Sequence, residues 1–166
     1  RSGFENSFGD LFAGASMILC PEYCDDERAL KAVSDFFLEI GFGRITLSSC
    51  AHHDEVIAFT SQLAHVVSSA YIHGRLSTEY SGFSAGSFAD MTRVARLSAD
   101  MWTELFFENG ANLSDAIGEL IDNLQKYKTA LDTGDRAAMH TLLAEGNARK
   151  IESEKLSTQK EGTKTC

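Results

Sequence analysis

A chain of 166 residues has room for one ordinary domain, or for a domain with a small appendage. Its 43% hydrophobic and 23% charged residues suit a soluble globular protein, and a net charge of −9 excludes a nucleic-acid binder, which needs clustered Lys and Arg. The first ten residues, RSGFENSFGD, hold no apolar core, so no secretory signal is expected there.

The chain opens with α/β character. Ala15–Cys20 is a short apolar run halted by Pro21, the only proline, and suits a strand. Asp25 and Asp26 place acid at a helix N-terminus. The helix that follows puts Leu30, Val33, Phe36, Phe37 and Ile40 on one stripe and ends at Gly41 or Gly43. Arg44–Ser49 reads as a second strand. Strand, helix and strand in this order make one crossover unit of a parallel sheet. One such unit leaves both sheet faces open. Together with the absence of an initial Met, it is expected to be the end of a larger sheet domain.

After Cys50 the character becomes all-helical. The stretch from near His53 to near His73 can form one helix of about six turns. It carries no Asp, Glu, Lys or Arg between Glu55 and Arg75, so it is expected to be covered on all sides. Its Thr60, Ser61, Gln62, Ser68 and Ser69 make it too polar for a membrane span. One chain of this size has little material to wrap such a helix, which favours a homodimer. A short helix over GSFADMTRVARLS and a second opened by Ser98 and closed at Asn109–Gly110 come next. A longer one carries Leu113, Ile117, Leu120, Leu124 and Leu131 and stops at Gly134. Asp135 caps the last helix, and from about Glu154 the chain is polar and expected to fray.

Candidate chemistry is concentrated between residues 61 and 102. Arg93 can pair with Asp90 at i,i+3 on a solvated face. Its neighbours Phe88, Met91, Val94 and Trp102 are apolar, however, and the small-residue loop SGFSAGSF precedes it. A guanidinium at such a loop–helix junction suits a carboxylate, because its planar fork binds both oxygens. His65 is either a satisfied core residue or a hydrogen-bond donor to a polar ligand, and Ser61 one turn earlier lacks the strained turn and third partner of a hydrolase. Trp102 is either core or a ligand wall. Asp54 is read as an N-terminal acid of the long helix. Cys20 and Cys24 have zinc-like spacing without a second ligand pair, and the four cysteines, Cys166 among them, read as reduced thiols of a cytoplasmic protein. No glycine-rich phosphate loop follows a strand.

Three stretches, in order and at matching spacing, resemble the C-terminal part of the prephenate dehydrogenase family: RSGFENSFGDLFAGASMILCP, HDEVIAFTSQLAHVVSSA and GSFADMTRVARLSADMWTELFFEN. The resemblance runs from Arg1 to about Glu154. It implies a mainly α fold, in which residues 1–50 end a Rossmann-type nucleotide-binding domain, 51–153 form a helical substrate-binding and dimerisation domain, and 154–166 are a polar tail. It implies NAD- or NADP-dependent oxidative decarboxylation of prephenate to 4-hydroxyphenylpyruvate, on the route to tyrosine, by intertwined dimers. Arg93 matches the arginine that binds a substrate carboxylate, and His65 matches a histidine that lines the pocket. Gly86, Asp90 and Trp102 match the pocket edge, some contributed across the dimer. Gln62 and Ala64 depart from the family's usual His and Pro; the missing proline leaves the helix free to run straighter. The catalytic histidine and the cofactor loop belong to the family's N-terminal half, so no catalytic, cofactor-binding or metal residue is assigned in this chain, and it is expected to be inactive alone. Two other readings remain open at this point: a stand-alone helical dimer that binds an aromatic acid as a regulatory module, and a related dehydrogenase acting on arogenate.

Overall fold

The computed structural model describes residues 4–83 and 86–161. Ser84 and Ala85 of the small-residue loop, the first three residues and residues 162–166, including Cys166, lie outside the described residues. Strands β1 (Ser16–Leu19) and β2 (Arg44–Leu47) pair in parallel, Ser16 opposite Arg44 and Leu19 opposite Leu47. Helix α1 (Glu27–Glu39) makes the crossover between them. Asp26 starts it, its carboxylate accepting from the amides of Arg28 and Ala29 at 2.9 and 3.3 Å. The apolar stripe of α1 forms as the spacing predicts, but two strands are too narrow to cover it. Val33, Phe36 and Ile40 stay exposed, and only Leu30 and Phe37 are half-buried.

The long uncharged stretch is a continuous helical rod with one irregularity. Helix α2 (Cys50–Ile57) begins three residues earlier than expected, capped by the Ser49 hydroxyl, which accepts from the His52 amide at 3.2 Å. This puts Asp54 in the second turn, where its Oδ1 lies 2.9 Å from the neighbouring His53 Nδ1. A wide π turn spans Ala58–Gln62 before α3 (Leu63–Ile72) resumes the ordinary pitch. The Leu63 amide reaches back five residues to the Ala58 carbonyl, so the turn holds one residue more than an α-helix would. With Ala64 at the position where a proline was expected from the resemblance, the rod is unbroken but not regular.

Within the chain this rod is covered along one stripe, by Ala58, Gln62, Leu63 and Ser68. Its opposite side, where Phe59 is 61% exposed, has no cover among the described residues. Three helices then follow: α4 (Ser87–Thr92), α5 (Ala99–Glu108) and α6 (Gly110–Asp132). Ser98 stands at the α5 N-cap with extended backbone, yet its side chain makes no capping bond. The chain divides into two compact units inside α6, between Ser114 and Asp115. In the second unit Gly134, at φ +68°, turns the chain out of α6, and the Asp135 carboxylate accepts from the Ala138 amide at 2.9 Å to open α7 (Arg136–Glu161). Helix α7 runs into the segment whose composition suggested a frayed tail, and between residues 136 and 156 only Ala138, Met139 and Leu142 are half-buried. No helix of the described residues is long and apolar enough to cross a membrane.

Candidate functional site

Of the residues singled out in the sequence, His65 and Trp102 are in contact. Helix α3 presents the His65 imidazole to α5, where the Trp102 ring lies 4.0 Å away, centroid to centroid. Its Nδ1 lies 3.2 Å from the Val94 carbonyl, in the segment that leaves α4. A carbonyl only accepts, so Nδ1 carries the proton and, in the neutral ring, Nε2 is left as an acceptor. With Nδ1 engaged by the Val94 carbonyl, Nε2 is the ring nitrogen left for a ligand. Trp102 is backed in turn by Phe106, 5.3 Å away. The cluster of His65, Trp102 and Phe106, with its rings tilted by 46° and 53°, is formed within one chain.

Arg93 directly precedes that Val94 carbonyl, at the C-cap of α4, and is exposed. The i,i+3 pair with Asp90 does not form, and among the described residues Arg93 has no ion-pair partner. Asp90 is exposed too, its amide bonded to the Gly86 carbonyl at 2.9 Å in the first turn of α4. Gly86 caps that helix at φ +127°, a backbone conformation that L side chains avoid, so glycine is required there by geometry. Of the five residues, then, His65 and Trp102 touch, Arg93 adjoins them through Val94, and Gly86 and Asp90 fix the opposite end of α4.

Two features near these residues escape a sequence reading. A groove of about 900 Å³ opens between the end of α3 and the start of α4, lined by Tyr71, Leu76, Tyr80, Phe83 and Phe88. It contains none of the five residues and lies at the far end of α4 from Arg93. The aromatic spacing of the stretch from Tyr71 to Phe88 was its only signal. The second is Ser68, three residues after His65, which is 1% exposed with its hydroxyl unpartnered among the described residues.

Around the crossover, Cys50 sits beside Glu22, whose Oε1 accepts from the Cys50 amide at 2.9 Å. A hydrogen bond from the thiol to Glu22, then burial and the negative charge of Glu22, push the Cys50 thiol up to about 11. Among the described residues no three His, Cys, Asp or Glu side chains converge on a metal position. Nor does the β1–α1 turn fit the phosphates of a dinucleotide. Such a turn needs glycines and free helix amides, whereas here Pro21, Glu22, Asp25 and Asp26 fill it, and the Asp26 carboxylate already takes the α1 amides.

The fold defined by these elements is a helical domain led by a short parallel strand pair. The family model described as the prephenate dehydrogenase dimerization domain matches residues 49–145, and the chain belongs to that family. It is 36% identical over 142 residues to the cyclohexadienyl dehydrogenase of Zymomonas mobilis, covering 81% of this chain and 48% of that protein. It is 26% identical over 140 residues to the prephenate dehydrogenase of Bacillus subtilis, covering 81% of this chain and 38% of the relative. The chain thus spans about half or less of the curated relatives it matches. Among solved structures, the Aquifex aeolicus prephenate dehydrogenase, crystallised with hydroxyphenyl propionate and NAD+, superposes with a TM-score of 0.77 at 28% identity. That match covers 94% of this chain and 55% of the Aquifex chain. The Synechocystis arogenate dehydrogenase shares the fold, with a TM-score of 0.73 at 22% identity.

Proposed function

We propose that this chain is the substrate-binding and dimerisation part of an oxidoreductase that converts prephenate to 4-hydroxyphenylpyruvate, with the nicotinamide cofactor held by residues outside the chain. The observation that carries the reading is a His65 imidazole fixed between the Trp102 ring and the Val94 carbonyl, with Arg93, exposed and without an ion-pair partner among the described residues, next to Val94 in the chain. Prephenate is a dianion. The guanidinium of Arg93 takes one carboxylate in a forked, charge-assisted pair. The Nε2 of His65 accepts a hydrogen bond from a hydroxyl of the bound acid, with no proton transferred, and Trp102 walls the ring. Holding a carboxylate equally tightly before and during reaction adds nothing to the rate, so Arg93 positions the substrate and breaks no bond.

The uncovered side of the α2–α3 rod supports a homodimer. Phe59 there, and Phe107 at 82% exposure on α5, are large apolar surfaces that a second copy would take out of water. The relatives named for cyclohexadienyl and arogenate substrates make the amino-acid analogue a second candidate for the same site.

Steady-state kinetics of Arg93→Ala in the full-length protein test the proposal. The KM for prephenate should rise by at least tenfold while cofactor affinity is unchanged; an unchanged KM removes Arg93 from the site. Parallel assays with prephenate and arogenate separate the two acids.

A further inference from the structure

The wide turn at Ala58–Gln62 lies immediately before the helix that presents His65, and a single side chain brackets it. Asn109, at the junction of α5 and α6, donates from Nδ2 to the Asp54 carbonyl at 2.7 Å, ahead of the turn. The same Nδ2 donates to Gln62 Oε1 at 3.1 Å, at the turn's end. Gln62, 6% exposed, donates from Nε2 to the Leu105 carbonyl in α5 at 2.9 Å. The Asp54 carbonyl can only accept, which fixes Nδ2 as the Asn109 atom facing it, and leaves the Asn109 Oδ1 to accept from Asn112 Nδ2 at 2.8 Å. These bonds tie Gln62, the buried member, to α5 on one side and to both ends of the turn through Asn109 on the other.

A π turn is less favourable than the α-helix it interrupts, and it persists only where tertiary contacts hold it. Its consequence is rotational. Each residue advances an α-helix by about 100°, so absorbing the extra residue into regular pitch would turn α3 by about that angle against α2. His65, three residues past Gln62, would then leave the Trp102 ring and the Val94 carbonyl.

We infer that Gln62 and Asn109 form a register latch: they hold the extra residue in the rod and so aim His65 at the acid-binding site. Gln62 touches no ligand in this account. It stands where the family often has a histidine, and in this chain the position works through the helix and not on the substrate. The latch is a pair of positioning residues, and its link to ligand binding rests on the substrate reading above.

The register claim can be read without a ligand. In the 166-residue chain, NMR should show nuclear Overhauser contacts between the His65 ring and the indole of Trp102, the only tryptophan. Gln62→Leu, which fills the same space with no polar atom, should erase them while helical content by circular dichroism is kept. Deleting Thr60, an exposed residue of the wide turn, removes the extra residue itself. Combined with Gln62→Leu, that deletion should restore the contacts. If Gln62→Leu does not fold, the isosteric Asn109→Asp, which lacks the donor, is read in the same way. Contacts that survive loss of the latch, or that the deletion fails to restore, overturn the inference. In the same samples, hydroxyphenyl propionate should bind at least tenfold more weakly to the latch variant than to the wild type. A wild type that shows the ring contacts but does not bind this acid overturns the substrate reading, and the contacts still decide the latch.

Discussion

The strand–helix–strand segment and the helical run after it are built from similar proportions of apolar residues but bury them very differently. No residue of β1, α1 or β2 is fully buried, while Ala58, Gln62, Leu63, Ser68 and Leu113 all are. A sheet of two strands offers one helix a strip too narrow for Val33 and Phe36, whereas α2 to α5 cover one another along the inner stripe of the rod. The helical run therefore carries the chain's own stability and the candidate site. The crossover displays apolar surface suited to further strands and helices.

Substitutions can sharpen this contrast. Leu63→Ala empties a buried position and should cost about 3 kcal/mol in a urea titration, whereas Val33→Ala, at a position 45% exposed, should cost less than about 1 kcal/mol. Equal losses would mean that the crossover has a core of its own. Phe59→Asp, on the uncovered side of the rod, should move the monomer–dimer equilibrium toward monomer by roughly ten- to a hundredfold, since burying a Phe is worth about 1.5–3 kcal/mol. Light scattering at several concentrations reads this, and a dimer of unchanged strength would place the interface elsewhere. The smallest effect is expected at the crossover. A thiol raised to about 11 is almost entirely protonated at pH 8, so Cys50 should alkylate slowly there. Glu22→Gln removes the charge that favours the thiol and should speed alkylation by about tenfold, as peptide mass spectrometry would show. An unchanged rate would rule out the Glu22 charge as the source of the protection.

Much of this was legible in the residues. The apolar run before Pro21, the acid at Asp26, the charge-free stretch after Glu55 and the stop at Gly134 each correspond to an element boundary within a few residues. Two things were not. Nothing in the spacing of Ala58–Gln62 announces a π turn, because the turn is held by Asn109, distant in sequence, through bonds that carry no periodicity. The protonated nitrogen of His65 was equally hidden, since it depends on a carbonyl in another element. The departure at Gln62 was visible in the sequence, but its meaning came only from its part-buried bonds to Leu105 and Asn109.

The most direct test of the central claim uses the single indole as its reporter. Titrating hydroxyphenyl propionate against Trp102 fluorescence in the wild type, Arg93→Ala and Arg96→Ala compares two exposed arginines three residues apart. Loss of one charge-assisted pair should weaken binding by about ten- to a hundredfold in Arg93→Ala alone. Equal affinity in all three proteins, or equal loss in both variants, would contradict the account.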